Sequence, residues 1–180
     1  MSALLIGHIG ILVPNIEDAI DRWSAATGYT FSPIGRYRTS HYCDKSNPDL
    51  HWHDARISVS REGPPRIELM EATGSGTHAL AELGVHHFGI GGIDDVESHL
   101  RELAAIGIGN DGRSYLADGR LHLGFTDKAA LDGVRLEFIS RLLGPTVADD
   151  GSPLGIDPAT GRRSLWLRSG AASPDAATEA

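Results

Sequence analysis

Apolar and polar positions along this chain follow a two-part pattern. The alternation that begins at His8-Ile9-Gly10-Ile11 returns at His87-Phe88-Gly89-Ile90, and alternation of this kind marks a half-buried strand. Each segment is followed by apolar residues at helical spacing: Ile16, Ile20 and Trp23 in the first, Ile93, Val96, Leu100 and Leu103 in the second. Acidic residues open both helical stretches, Glu17-Asp18 and Asp94-Asp95, where they favour the helix dipole, and Asn15 is placed to cap the first. Gly28 and Gly107 are the expected stops, separated by the same offset as His8 and His87. Each half then closes on a matched strand, Arg66-Ile67-Glu68-Leu69-Met70-Glu71 and Arg135-Leu136-Glu137-Phe138-Ile139.

Between these landmarks the pattern predicts further strands at 29–42 and 54–60, joined by a polar, histidine-bearing loop from Asp44 to His53, with a turn at Gly63-Pro64-Pro65. In the second half, Tyr115–Ala117 and Leu121–Thr126 flank Asp118-Gly119, a hairpin signal. The unit is strand, helix, then strands, written twice: an α+β domain at 1–143 with module one at 5–71 and module two at 84–141. From Gly144 the periodicity fades into a C-terminal extension, 144–180, whose end from Ser169 is rich in Ala, Ser, Pro and acid and reads as disordered. Leu165-Trp166-Leu167 is apolar enough to dock on a surface, a partner subunit's among the candidates.

Strand parity turns this repeat into candidate chemistry, because alternate side chains point to opposite faces of a sheet. Ile9, Ile11 and Val13 take the helix side of the first strand, which leaves His8 on the other face with Gly10 and Leu12. By the same rule His87 lies opposite Phe88 and Ile90, Glu68 opposite Ile67 and Leu69, and Glu137 opposite Leu136 and Phe138. Two imidazoles and two carboxylates at matched positions form a ligand set for one divalent ion, Zn, Ni, Co, Mn or Fe(II), with positions left for water or substrate. Gly10, Gly89 and Gly91 would leave that face uncrowded. His86 has the opposite parity to His87 and is expected to be structural, facing the helix layer. His122 reads as a neighbour of the cavity or an exposed residue, and Glu71 as a solvated one.

Composition removes some partners. The 180 residues include 16 basic and 24 acidic ones, a formal net charge of -8, which argues against nucleic acid or an anionic membrane surface. No stretch is apolar for long enough to span a bilayer, and the opening LLIGHIGILVP lacks a basic n-region. A cytoplasmic location follows by default. Cys43 stands alone, so no internal disulfide staples the fold.

The segments His8-Ile9-Gly10-Ile11-Leu12-Val13-Pro14, Ile67-Glu68-Leu69-Met70-Glu71, Val85-His86-His87-Phe88-Gly89-Ile90 and Val134-Arg135-Leu136-Glu137-Phe138-Ile139 resemble the four metal-bearing strands of the vicinal oxygen chelate superfamily. That superfamily includes glyoxalase I, methylmalonyl-CoA epimerase, extradiol dioxygenases and bleomycin-resistance proteins. The resemblance covers residues 5–141. It implies paired βαβββ modules forming an eight-stranded, cup-shaped mixed sheet with helices on the outer face, one divalent metal inside the cup, and a homodimer.

The double histidine and the strand at 67–71 look most similar to the methylmalonyl-CoA epimerase branch. There a glutamate base precedes the strand matching Ala55–Ser60, whereas this chain reads Leu50-His51-Trp52-His53-Asp54, with Trp52 near the glutamate position. The stretch is either a polar surface loop or a source of a substitute base at His51, His53 or Asp54. Resemblance to glyoxalase I implies a further candidate base, Glu137 or Glu68 leaving the metal to take the proton.

The expected function is a metal-dependent epimerase, isomerase or lyase working through a metal-stabilised enolate on a small oxygen-chelating substrate, an acyl-CoA among the candidates. The alternatives are an extradiol-type dioxygenase, which uses two histidines and one carboxylate, and a metal-free protein that binds a small molecule such as an antibiotic.

Overall fold

The first apolar alternation forms β1 (His8–Val13) and the helical spacing after it forms α1 (Ile16–Thr27), in a computed structural model that describes residues 3–170. The disorder expected near the C-terminus falls mainly outside those residues. Asn15 caps α1 by accepting from the Asp18 amide, and Gly28 ends it at a φ of 75°, a left-handed conformation that glycine adopts without steric cost. Such a cap contributes about 1 kcal/mol. Three strands complete the module: β2 (Gly35–Asp44), β3 (His51–Val59) and β4 (Arg66–Glu71). The second copy runs β5 (Gly84–Ile93), α2 (Val96–Ala105), β6 (Asn110–Tyr115), β7 (Leu121–Thr126) and β8 (Arg135–Ser140). The Asp118-Gly119 turn joins β6 to β7 as expected, with Leu116 and Arg120 paired across it.

Each module pairs its first and last strands in parallel, β1 with β4 and β5 with β8. The two modules meet at an antiparallel β1–β5 seam and again where β2 pairs with β6. With the β2–β3 pairing, eight strands close into one mixed sheet. Helix α1 covers Ile11, Val13 and Leu69 on the outer face, and α2 covers Ile90 and Phe138. These apolar residues lie on the helix side as parity assigned them, and the opposite faces line the concavity.

The strand expected at 29–42 begins only at Gly35, the one expected at 115–117 lies at Asn110–Tyr115, and two further segments depart more widely. The connection between β2 and β3 is shorter than predicted, because β3 already begins at His51. His51, His53 and Asp54 thus lie on a strand, and their side chains alternate between the two faces. The second departure is the extension. Its β9 (Thr146–Ala148) adds to β2, and a hairpin of β10 (Leu154–Ile156) and β11 (Arg163–Arg168) follows. Ala148, Leu154 and Leu165 pack in one core with Leu12, Ile57 and Met70. The apolar 165–167 segment therefore docks into its own chain, because the inner face of module one offers more apolar surface than its own side chains cover.

Candidate metal centre

The β1–β5 seam sets the geometry of the site. Its register places His8 opposite Gly89 and Gly10 opposite His87, so each histidine of one module lies over a glycine of the other. A Cβ on Gly89 would fall inside the His8 ring, and one on Gly10 inside the His87 ring. These glycines do not leave open cavity, as the sequence implied. They are the seats on which two imidazoles cross.

Crossed in this way, the two Nε2 atoms lie 2.9 Å apart. Glu137 Oε2 is 3.1 Å from His8 Nε2 and 3.3 Å from His87 Nε2, and Glu68 Oε2 is 3.5 Å from each. Donor atoms that share a divalent ion at about 2.0–2.2 Å are separated by roughly 2.8–3.6 Å, so the spacing fits a common ion. His8, His87 and Glu137 form the tightest group, with Glu68 just outside it. Charge points the same way. Burial works to lower the His8 pKa, but Glu68 and Glu137 carry it up to about 9, so the site favours a positive charge at this point. Glu137 is pulled down to about 2 against its own burial, chiefly by His87 and His8.

His86 is where strand parity fails. Gly10 pairs with His87 but Ile11 pairs with Val85, so His86 is the extra residue of a β-bulge. A bulge turns a side chain that alternation would send elsewhere, and here His86 packs inside the cup against His78, His87 and Phe125. It does not face the helix layer. Its Nε2 lies 2.8 Å from the Thr77 carbonyl, and its Nδ1 lies 2.9 Å from His87 Nδ1. A carbonyl only accepts, so His86 Nε2–H donates to it and His86 Nδ1 accepts from His87 Nδ1–H. The Nε2 lone pair of His87 is left facing the cluster, the tautomer a metal ligand needs. Burial next to His87 and Arg135 holds the His86 pKa down to about 3 and keeps the ring neutral. Replacing His86 with leucine is expected to lower metal affinity about 10–100-fold, while His86→Gln, which keeps a donor and an acceptor, recovers part of the loss. Chelator competition on the two variants checks this; equal affinity in wild type and His86→Leu would show that the bulge does not orient His87.

Residues 7–121 match the Glyoxalase/Bleomycin resistance protein/Dioxygenase superfamily. The chain belongs to this superfamily. No curated protein matches it. Among solved structures it is similar to the hypothetical protein BH1468 from Bacillus halodurans C-125, at 20% identity and a TM-score of 0.54, over 77% of this chain and 95% of that one. Methylmalonyl-CoA epimerase from Mycobacterium tuberculosis is similar at 15% identity and a TM-score of 0.51, covering 78% and 91%. A variant of the Streptomyces coelicolor methylmalonyl-CoA epimerase, in complex with 2-nitronate-propionyl-CoA, gives 17%, 0.51, 77% and 95%. At these identities the likeness is one of fold.

Other residues expected at the site of this superfamily domain fall in different places. Asp54 faces away from the cavity and is held by Arg36 at 3.2 Å and Arg38 at 3.1 Å. The chain turns it outward because it alternates with His53 on β3, so it is not placed to act as a base there. His51 stands at the strand start, edge-on to Tyr42 with its Nδ1 2.9 Å from the Asp49 carbonyl. His53 points inward and lines a small cavity with Glu68 and Glu137. His122 is buried, with Nδ1 3.1 Å from Ser140 Oγ, and lines a second cavity with His8, Glu68 and Glu137. Glu71 pairs with Arg56 at 3.0 Å and is not simply solvated. Thr77 and His78 lie on a segment with no strand or helix periodicity, and no local signal marks them. Thr77 Oγ1 bonds Tyr42 Oη at 2.6 Å and His78 Nδ1 at 2.9 Å.

These buried rings make an acid-sensitive interior. Burial lowers His53 to about 4, with His51 adding to it and Asp54 and Asp44 opposing. Burial also lowers His122 to about 4, with Glu137 opposing and Arg162 adding. Between these values and the unfolded value near 6.5, the unfolded chain binds more protons than the folded one. Their contribution to stability is therefore full above about pH 6.5 and falls toward pH 4, by on the order of 2–3 kcal/mol for each of the two residues. The raised His8 acts only above this window and the lowered Glu137 only below it. Urea midpoints in EDTA from pH 7 to 4.5 are expected to drop steeply; a flat profile would show that these rings protonate without leaving the fold.

Proposed function

We propose that the protein is an enzyme that moves a proton at a carbon beside a carbonyl, in a small substrate with two neighbouring oxygens. It would act as an epimerase, isomerase or lyase with one divalent ion held by His8, His87, Glu137 and Glu68. The observation that carries this reading is the division of labour between the two carboxylates. Glu137 is buried between both histidines and kept anionic, whereas Glu68 sits at the border of the cavities, with 17% of its side chain exposed. When bound, the ion supplies Lewis acidity toward a substrate carbonyl oxygen. His87, fixed by His86, and Glu137 keep the ligand frame rigid. Glu68 lines the large cavity and the smaller one beside it together with His8 and is the carboxylate placed to take a proton from the substrate carbon and return it. His53 lies deeper in the cup, where burial holds it neutral.

Methylmalonyl-CoA epimerases share the fold, and one was captured with an acyl-CoA analogue, so acyl-CoA thioesters and 2-oxo acids form the first panel. Metal-loaded protein incubated with that panel in D₂O is expected to incorporate deuterium at the α-carbon, read by mass spectrometry. A second reading rests on one observation: the tightest group, His8, His87 and Glu137, is a two-histidine, one-carboxylate set of the kind used with Fe(II) by oxygenases. Oxygen uptake on catechols by Fe(II)-loaded protein, without proton exchange on any acyl-CoA or 2-oxo acid, would replace the first reading with this one. Protein that takes up no divalent ion would overturn both.

A further inference from the structure

The cup has a cationic side, built in part by arginines beyond the residues that match the superfamily. His8 and Glu68 line a cavity of about 770 Å³ together with Arg66, Arg141, Arg162 and Arg163. Four arginines face two carboxylates there, Glu68 and Asp157, in a chain whose overall charge is -8. Arg141 is taken by Asp94 at 2.6 Å. Among the described residues, Arg66, Arg162 and Arg163 form no ion pair with a carboxylate. Arg162 and Arg163 also line the neighbouring cavity that holds His8, Glu68, His122 and Glu137.

Arg162 is built into this position. Its Nη2 donates to the Ser140 carbonyl at 2.6 Å, and its Nη1 occupies the space a side chain at Gly91 would need, 2.6 Å from a Cβ built there. Gly91 thus seats Arg162 as Gly89 seats His8. Among the described residues its other guanidinium donors have no partner. An arginine half-buried with donors unfilled is matched by a carboxylate or phosphate, two of whose oxygens take parallel N–H bonds from the fork. Both Arg162 and Arg163 come from the C-terminal extension, beyond residues 7–121 that match the superfamily.

We infer that the extension supplies an anion-binding subsite: Arg162, with Arg163, holds a carboxylate or phosphate group of the substrate while its reacting end lies at His8 and Glu68. This rests on the reading of the cup as the substrate cavity and adds the substrate class, a small molecule with an anionic group remote from the reacting carbon.

The test is an NMR titration of EDTA-treated protein with glutarate, with inorganic phosphate and with neutral glutaramide. At least one of the two anions is expected to bind and glutaramide is not; which anion binds more tightly separates a carboxylate from a phosphate. Affinity should fall at least about tenfold in Arg162→Gln and in Arg163→Gln, recover partly in Arg162→Lys, and stay near wild type in Arg141→Gln. Gly91→Ala keeps the charge but displaces the guanidinium, so it should weaken binding even if the arginine variants fold poorly. Binding of neither anion, or equal binding in wild type, Arg162→Gln and Arg163→Gln, would overturn the inference. Because the metal is removed, that failure leaves the proton-transfer reading standing. Loss of proton exchange with anion binding intact would sink only the latter.

Discussion

Replacing Gly89 with alanine is expected to remove metal binding as completely as replacing His8. The side chain at position 89 has no role in ligation, yet its added methyl would occupy the space of the His8 ring. The backbone of β5 is fixed on both sides by β1 and β8, so the imidazole must yield by leaving its rotamer. A ring moved from its place no longer aims Nε2 at His87 and Glu137. Metal affinity should fall by about two orders of magnitude or more, since even loss of a residue that only orients a ligand costs about 10–100-fold. Gly10→Ala is the symmetric experiment and should displace His87. Gly109→Ala is the control, because a Cβ there meets nothing within 4 Å. Elemental analysis and chelator competition on the three proteins measure this. A Gly89→Ala protein that holds metal as wild type does would mean that the crossed histidines are not the ligands.

The second large effect is expected at Glu68. Glu68→Gln should lower α-proton exchange by about 10²–10⁴-fold, the usual contribution of a positioned base, while metal content falls much less. Glu137→Gln should instead lose the metal, because the buried carboxylate between both imidazoles is what neutralises the charge of the site. His53→Gln, inside the cup but away from the cluster, should retain most of the exchange. The comparison separates base from ligand by reading metal content and exchange on the same samples. If Glu68→Gln exchanges at the wild-type rate and His53→Gln does not, the proton moves through the histidine on β3, as the sequence allowed.

Much of this architecture is legible in the chain itself. Period-two alternation assigned Ile9, Ile11 and Val13 to the helix side, and they pack there. The repeat placed His8, Glu68, His87 and Glu137 on one face at equivalent positions, and the fold brings these four together. Local pattern succeeds here because side-chain direction along a regular strand depends only on the pleat. It fails wherever the outcome depends on a partner distant in sequence. The bulge that turns His86 inward exists only in the pairing of β5 with β1. His53 points in and Asp54 out because β3 begins three residues earlier than its apolar content implied, a boundary set by pairing with β2. Gly10, Gly89 and Gly91 are read from sequence as open space, but only the register shows that a side chain from elsewhere fills each one. Arg162 carries no local signal at all. It reaches the cavity because Leu154 and Leu165 bury themselves in module one and carry the hairpin over the mouth of the cup. The chain's own periodicity determined which residues face the concavity; cross-strand register and the docking of the extension determined what they meet there.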